Sequence, residues 1–543
     1  MHTFKKLPLL LGLTTALFSS FALGADIPAN TKLAAKQEVH LHYTNDVITL
    51  DPQFVESLSD RHLANQLFEG LVSIDPEGNV IPGVATRWEI SEDGKKWTFF
   101  LRDNAKWSNG DAVTAQDFVF GWQRLANPKT AAPYISYLKL TKLANVEEIT
   151  HGKKSVDELG IKAIGDKTLE LTLSEPVPYL DLLLQNPVLF PVHRATLEKY
   201  GEQWTNAKHI VSNGAYKVQD RTVNEKITLV PNSHYWDNAR TVIQKATILM
   251  LEKTPAFAHY RANQLDLSNI PENFFVNKKF REEYKDQIQA NLQLATYRYE
   301  INTTKPPLND VRVRKALNLA LDRDLITQKI LGYDEHTTFT FTPTYIHLGN
   351  QIQQPSYAKW TQAQRNEQAK KLLMEAGYSK EKPLVIELTH STNQNTKHVT
   401  LTSKAAWEKN LDGMVKVNLK GLEWKILFDA KQMQNFELIT SSWFADYNEA
   451  STFLSFYHSQ NHKNKTGFAS AKFDESLAQA NQVKDNVERA KHYAAAEAEL
   501  ETEQPFIAIY HYVDLIVKKP KLKGYEGKNP QGDYLIKHLY FVQ

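Results

Sequence analysis

The segment SSWFADYNEASTF, residues 441–453, places one carboxylate, Asp446, among aromatic residues. Its aromatic neighbours in the sequence are Trp443, Phe444 and Tyr447. A carboxylate loses hydration among aromatic rings, and it stays ionised there only if a cation or several hydrogen-bond donors meet it. The segment therefore predicts either an internal lysine or arginine partner for Asp446 or a charged ligand. Taken by itself, the segment leaves both interpretations open.

The residue patterns of common enzyme sites do not occur in this sequence. It contains no HExxH zinc helix, no GxSxG nucleophile elbow, no GxxxxGK[ST] phosphate loop and no GxGxxG dinucleotide loop. His40 and His42 could share one face of a strand, and His458 lies near His462, but neither pair has carboxylates at metal-ligand spacing. We therefore expect structural or exposed histidines, no metal or cofactor, and no enzymatic activity.

Strand and helix signals indicate the elements that must position such a segment. In KKWTFFLRDNAKWSNGD, Trp97, Phe99 and Leu101 alternate with more polar residues, which predicts a half-buried strand. Thr114 and Asp117 then form a pattern typical of a capping box, so a helix is predicted to begin after Thr114.

A second helix is predicted after the cap residues Asn309 and Asp310, because apolar residues recur there at helical spacing. Its basic residues Arg312, Arg314 and Lys315 are expected to form a solvated face. A third helix is predicted to end near Gly377, before the strand-like KPLVIEL. Such mixed strands and helices with short turns predict an α/β chain folded into lobes.

The amino-terminal residues indicate export. A basic start, an apolar run from Leu7 to Phe18 and small residues up to Ala25 are the pattern of a secretory signal peptide, assigned here to residues 1–24. The chain has no cysteine, which excludes a cysteine-linked lipid anchor and disulfides. We therefore expect an unlipidated periplasmic protein that does not span the membrane.

The charge balance excludes classes of partner that need a strongly basic surface. The whole chain has 64 basic and 62 acidic side chains, and removal of Lys5 and Lys6 with the signal peptide leaves 62 of each. A balanced chain has no general attraction for nucleic acid or for anionic membranes. We expect neither as a partner.

Several motifs, in order along the mature chain, resemble those of the periplasmic oligopeptide-binding proteins of ABC importers. The likeness is greatest to the oligopeptide and murein-tripeptide binders of solute-binding protein family 5. The motifs are TLDPQ (Thr49–Gln53), LFEGL (Leu67–Leu71), PGVATRW (Pro82–Trp88), WTFFLRDNAKWSNGDAVTAQDFVFGWQRL (Trp97–Leu125), SNGAY (Ser212–Tyr216), NSHYWDNA (Asn232–Ala239), NDVRVRKALNLALDRD (Asn309–Asp324) and WFADYNEASTF (Trp443–Phe453).

The resemblance implies an α/β fold with two lobes joined by crossing strands, a hinge and three domains. The first domain would be discontinuous, with residues 25–69, 194–294 and 514–543; the second would be 70–193 and the third 295–513. Such a body closes on its ligand by hinge motion and presents its closed form to the inner-membrane permease with its ATPase subunits. We expect a monomer.

The resemblance also implies a role for Asp446, which would pair with the free α-ammonium of a bound peptide. At about 4 Å and an effective dielectric near 20, such a pair is worth roughly 4 kcal/mol before desolvation costs. The main chain at Glu56, Leu58, Ser442 and Phe444 would pair with an extended short peptide as an added strand.

Further residues match family positions that line the ligand site. Tyr134, Trp443 and Tyr512 would form its aromatic walls, and Asn269 is also assigned to the site. Trp424 is assigned to the same wall, with a core ring on a strand as the alternative. An aromatic wall fits many side chains while it excludes water.

The chain departs from the family where some members hold the ligand's carboxyl terminus with basic residues. The corresponding positions here are Thr440, Lys431, Leu331 and Thr396. Arg298, where the family usually has a tyrosine, could supply a displaced carboxylate partner together with Lys431 or His398. A surface-exposed Arg298 without that role is the alternative.

The sequence thus favours a periplasmic protein that captures short peptides in an extended conformation and delivers them to an ABC permease. A binder of heme or another non-peptide ligand with the same fold is one alternative. A periplasmic hydrolase or a chaperone is the alternative from a different class, and the missing catalytic motifs disfavour the hydrolase.

Overall fold

A computed structural model describes residues 25–275 and 277–543 of the chain. The predicted signal peptide, residues 1–24, lies outside the described residues. Within them, no helix combines the length and the apolar character needed to cross a bilayer.

The strands and helices follow one another in a mixed order. The strands are β1 (Glu38–Tyr43), β2 (Val72–Ile74), β3 (Val80–Pro82), β4 (Ala85–Ile90), β5 (Lys96–Leu101), β6 (Ile161–Gly165), β7 (Thr168–Thr172), β8 (Tyr216–Thr222), β9 (Lys226–Pro231), β10 (Lys245–Met250), β11 (Leu267–Asn269), β12 (Ile288–Ile301), β13 (His336–Thr337), β14 (Leu384–Ser391), β15 (Val415–Leu422), β16 (Leu438–Phe444), β17 (Phe506–Lys518), β18 (Leu522–Lys523) and β19 (Tyr540–Phe541). The α-helices are α1 (Leu58–Leu67), α2 (Ala115–Ala126), α3 (Ile135–Leu140), α4 (Val146–Thr150), α5 (Leu180–Leu183), α6 (Arg194–Tyr200), α7 (Lys253–Arg261), α8 (Glu272–Phe275), α9 (Lys278–Tyr284), α10 (Val311–Ala320), α11 (Gln362–Glu375), α12 (Gln394–Asn410), α13 (Trp424–Gln432), α14 (Ser451–Leu454), α15 (Ala471–Gln482) and α16 (Asn486–Glu503).

The first half of the chain contains two four-stranded sheets. One has the order β1-β10-β9-β8, with β1 parallel to β10, and the other has the antiparallel order β4-β5-β7-β6. A single hydrophobic core joins them, since Val39 of β1, Trp97 of β5 and Phe118 of α2 belong to the same buried cluster. The two sheets therefore form one body.

The second body is built on a seven-stranded sheet with the order β11-β17-β12-β16-β14-β15 and β13 paired to β17. One core of this body contains Leu317 of α10 and Trp407 of α12. Another contains Phe473 of α15 and Leu500 of α16. Because β14 is parallel to both β15 and β16, the carboxyl ends of these three strands lie at one edge of the sheet.

The long strands β12 and β17 connect the two bodies. Near its amino end β12 pairs with the half of β17 that also pairs with β11, and further along it pairs with β16. Their pairing is irregular between Leu292/Val513 and Thr296/His511. This irregularity falls at the domain bounds expected at 294/295 and 513/514, and the bounds themselves stay a prediction.

The local sequence signals agree with the structure at several helix ends. Thr114 and Asp117 form the capping box of α2, and the Asp310 side chain accepts from the main-chain N–H of Arg312 at the start of α10. The prediction that Arg314 lies on a solvated face of α10 is wrong. This side chain is buried and donates to the main-chain oxygens of Leu308, Glu503 and Gln504, which are carbonyls that only the folded chain brings together.

Candidate functional site

A cleft of about 630 Å³ opens beside the crossing strands. It contains five of the residues expected at the ligand site: Glu56, Leu58, Tyr134, Phe444 and Asp446. Its other lining residues are Val55, Ser57, Arg61, Pro133, Asn186, Gln293, Leu294, Ala445, Pro530 and Gln531. The cleft is thus assembled from segments that are hundreds of residues apart in the chain.

Asp446 follows β16 at its carboxyl end and faces the cleft with an incomplete set of partners. The Tyr134 hydroxyl donates to Asp446 Oδ1 at 2.5 Å, and Lys463 Nζ lies 3.9 Å from Oδ2. Burial and the neighbouring Asp446 charge raise the pKa of Tyr134, so its hydroxyl remains a proton donor. A carboxylate has about four acceptor positions, and the Tyr134 hydroxyl uses one of them. Asp446 can therefore accept from a further cationic donor.

Strand alternation separates the side chains of β16 into two groups. Ser442 and Phe444 are exposed, whereas Trp443 packs against Phe456 and donates from Nε1 to the Thr452 carbonyl at 2.9 Å. Trp443 is therefore partly buried and does not line the cleft, and its assignment to the aromatic wall stays a prediction. Phe444 lines the cleft directly.

Tyr512 of β17 joins the exposed side of β16. Its hydroxyl is 2.7 Å from the Ser442 hydroxyl, and its ring lies 5.2 Å from that of Phe444. These three side chains form a continuous strip that leads to the cleft at Phe444, with Ser442 and Phe444 exposed and Tyr512 half-buried.

One edge of β16 offers main-chain groups for pairing. β16 pairs with β12 along its whole length, from Leu438 to Phe444. Its register with β14 on the other side covers Leu438 and Ile439. Among the described residues, the β14 register of this edge ends at Ile439, so the main-chain groups beyond it could accept an added strand.

The alternative of a surface-exposed Arg298 is wrong, and its assignment as a partner of the ligand's carboxylate stays a prediction. Arg298 is 0% exposed. Its Nη2 donates to Glu300 Oε1 at 2.5 Å, and its Nε donates to the Tyr457 hydroxyl at 3.0 Å. The guanidinium also lies 4.4 Å from the centre of the Phe341 ring. A guanidinium buried on this side of β12 needs a negative partner inside the protein. Glu300, two residues further along the strand, supplies this partner.

Lys431 completes this buried cluster. Its ammonium donates to Glu300 at 2.8 Å and to the Ser441 hydroxyl at 2.9 Å. Burial lowers the pKa of Lys431, although the Glu300 charge partly offsets this effect. Thr440 and Leu331 are also buried, and His398 is exposed on α12, as is much of the first turn of that helix around Thr396.

Trp424 and Asn269 occupy positions outside the lining of the cleft. Trp424 begins α13 and is 68% exposed, so the alternative of a core ring on a strand is wrong. Asn269 ends β11 and donates from Nδ2 to both carboxylate oxygens of Asp514, at 3.1 and 3.0 Å. Its position is beside the crossing strand β17, where Asp514 lies. The assignment of both residues to the ligand site stays a prediction.

Sequence reasoning missed Arg61, which lines the cleft near Asp446. Its Nε lies 3.2 Å from Asp533 Oδ1, and its Nη2 donates to the Gln531 carbonyl. Arg61 lies in the first turns of α1, which begins with a capping box of Ser57 and Asp60. That Ser-x-x-Asp pattern could have predicted the helix and placed Arg61 one turn after Leu58. Lys463 had no such local signal.

Comparisons with known proteins agree with this architecture. The model of the bacterial extracellular solute-binding proteins, family 5 (middle), matches residues 79–465. The periplasmic oligopeptide-binding protein OppA of Salmonella typhimurium is 42% identical over 543 residues, which covers 99% of each chain. These matches support the expected membership in a family of binding proteins.

Two solved structures confirm the predicted two-lobed α/β fold class. The unliganded open form of the murein tripeptide-binding protein MppA is 39% identical, covers 95% of this chain and 99% of its own, and has a TM-score of 0.86. Haemophilus influenzae OppA in complex with the peptide RPPGFSPFR is 41% identical, covers 94% and 100%, and has a TM-score of 0.76. The two relatives have nearly equal sequence identity to this chain, so the higher TM-score of the open form shows that the backbone of this chain is more similar to that open form than to the peptide complex. The chain belongs to family 5 of the bacterial extracellular solute-binding proteins.

Proposed function

We propose that this protein captures short peptides with a free amino terminus in its cleft and delivers them to an ABC importer. The observation that carries the proposal is the Asp446 carboxylate, which faces the cleft with a hydroxyl at 2.5 Å and its nearest described cation 3.9 Å away. A protonated α-amino group supplies the charge and the donors that this carboxylate lacks. OppA and MppA, whose names denote peptide binding, support the same ligand class.

The open edge of β16 accounts for binding of peptides with different sequences. Main-chain groups beyond Ile439 would pair with the peptide backbone, and this pairing does not depend on side-chain identity. The exposed ring of Phe444 and the half-buried ring of Tyr512 would contact the peptide's side chains. The protein would thus recognise the amino terminus strongly and the sequence weakly.

Closure of the two lobes would couple binding to transport. The likeness to an open, unliganded relative supports an open state of this chain, in which β12 and β17 would be the strands that bend on closure. A peptide that contacts both lobes binds the closed form better and shifts the population toward it. The permease would then receive the closed complex in the periplasm, to which the cleaved, unlipidated chain is exported.

Titration with a matched pair of tripeptides tests the proposal. Tryptophan fluorescence or calorimetry should detect binding of the free peptide, and amino-terminal acetylation should weaken it more than about tenfold, because Asp446 then faces no cation. Equal affinity for both peptides would contradict the assignment of Asp446. Mass spectrometry of the recovered peptide separates a binder, which returns it intact, from a hydrolase.

A further inference from the structure

Lys463 places an ammonium group beside the candidate ligand carboxylate. Its Nζ lies 3.9 Å from Asp446 Oδ2 and 4.4 Å from the centre of the Trp443 ring. A carboxylate oxygen together with the face of an indole is a combination that attracts cations. The side chain of Lys463 therefore occupies a position that suits the amino group of a ligand.

The backbone of Lys463 is fixed, whereas its side chain can withdraw. The main-chain N–H of Lys463 donates to Asn461 Oδ1 at 2.9 Å, and Asn461 Nδ2 donates to the Ser455 carbonyl at 2.7 Å. Asn464 Nδ2 donates to the carbonyls of Tyr457 and Phe468, which fixes the turn on both sides of Lys463. The lysine side chain itself is 42% exposed, so it can move into water without any rearrangement of the turn.

We propose that Lys463 is a placeholder cation, which neutralises Asp446 in the empty cleft and is displaced by the amino group of the incoming ligand. This inference rests on the proposed peptide function. A separation of 3.9 Å is at the outer limit of an ion pair, so the contact is weak enough to exchange. Lys463 thereby lowers the affinity for every ligand that binds through an amino-terminal cation.

The predicted consequence is that loss of Lys463 tightens binding. In Lys463→Met, Asp446 has lost its internal cation, and we expect peptides with a free amino terminus to bind about two- to fivefold more tightly at low salt. The gain should narrow at high salt, because exposed charges are then screened. Lys465→Met is the matched control, since it removes the same charge from the same segment. Unchanged or weaker binding by Lys463→Met would overturn the proposal.

A second measurement needs no peptide and separates this inference from the proposed function. Site-resolved acetylation of the empty protein, followed by mass spectrometry, reports how strongly each lysine amine is held. Lys463 should react about twofold faster or more in Asp446→Asn than in the unmodified protein, with Lys465 unchanged as the internal reference. If no peptide binds, the proposed function fails, and the acetylation rate of Lys463 alone then decides whether Lys463 pairs with Asp446. Equal rates at Lys463 would overturn the placeholder.

Discussion

Glu300 and Asp446 are two carboxylates of the same body, and both lie among aromatic rings and lysines. Glu300 is fully buried, with Arg298 Nη2 at 2.5 Å and Lys431 Nζ at 2.8 Å. Asp446 has a side chain that is 22% exposed, a tyrosine hydroxyl at 2.5 Å and a lysine at 3.9 Å. The first charge is neutralised by two buried cations at short distance, whereas the second meets a single, partly exposed lysine at the outer limit of an ion pair.

This difference shows how a carboxylate among aromatic rings can serve either stability or binding. Burial by itself would raise the pKa of Glu300, but Lys431 and Arg298 hold this pKa below its usual value. The Glu300 charge in this closed cluster is thus matched by two internal cations. Asp446 has capacity because its hydroxyl partner, Tyr134, brings a donor without bringing a charge.

The largest expected effect comes from opening the closed cluster. Glu300→Gln leaves Arg298 and Lys431 in the interior without a counter-charge, and we expect the free energy of unfolding to fall by about 3–5 kcal/mol. Chemical denaturation measures this loss. Glu488→Gln removes an exposed partner of Lys491 and is the control, with an expected change of about 1 kcal/mol or less. A Glu300 variant as stable as that control would show that the cluster does not stabilise the fold.

The pH dependence of stability sharpens this prediction. The folded-state pKa of Glu300 is lowered, so its stabilising contribution is present above the ordinary value of 4.5 and is lost as the pH falls through the folded pKa. The stability difference between the unmodified protein and Glu300→Gln should therefore shrink in acid. Denaturation at a series of pH values below 4.5 detects this convergence.

At Asp446, which we call the open site, we expect a large effect on binding and a small effect on stability. Asp446→Asn should weaken the binding of free-amino peptides more than about tenfold, because the ligand's ammonium then lacks its counter-charge. The free energy of unfolding should change by about 1 kcal/mol or less, since the partly exposed pair with Lys463 is weak. Calorimetry and denaturation on the same sample measure both quantities. A large loss of stability with unchanged affinity would give Asp446 the role now assigned to Glu300.

Sequence patterns predicted those parts of the fold that depend on neighbours along the chain. The alternation of Trp97, Phe99 and Leu101 is sufficient for β5, and the Thr114–Asp117 capping box is sufficient for the start of α2. The aromatic setting of Asp446 posed a choice between a ligand and an internal partner. It did not decide that choice, because Tyr134 comes from a distant segment and the turn that carries Lys463 has no local signal that aims its side chain at Asp446.

The wrong predictions concern basic residues whose surroundings form only on folding. A surface-exposed Arg298 was one alternative, but Phe341 and Tyr457 contact this side chain in the interior and Glu300 neutralises it. Arg314 was expected in water, but carbonyl groups at the end of α16 accept from it. Charge and periodicity describe a helix or strand alone, so they do not predict a buried partner from another element.

The smallest expected effect isolates the hydroxyl at the open site. In Tyr134→Phe, Asp446 keeps its charge but loses the donor that orients Oδ1. We expect free-amino peptides to bind about two- to tenfold more weakly, which corresponds to one hydrogen bond. Tyr137→Phe is the matched control, because its hydroxyl donates to the Leu183 carbonyl in the same region and its loss should affect stability alone. If both variants bound peptide as tightly as the unmodified protein, Tyr134 would be no more than a wall of the cleft, and the charge of Asp446 alone would distinguish the open site from the closed cluster.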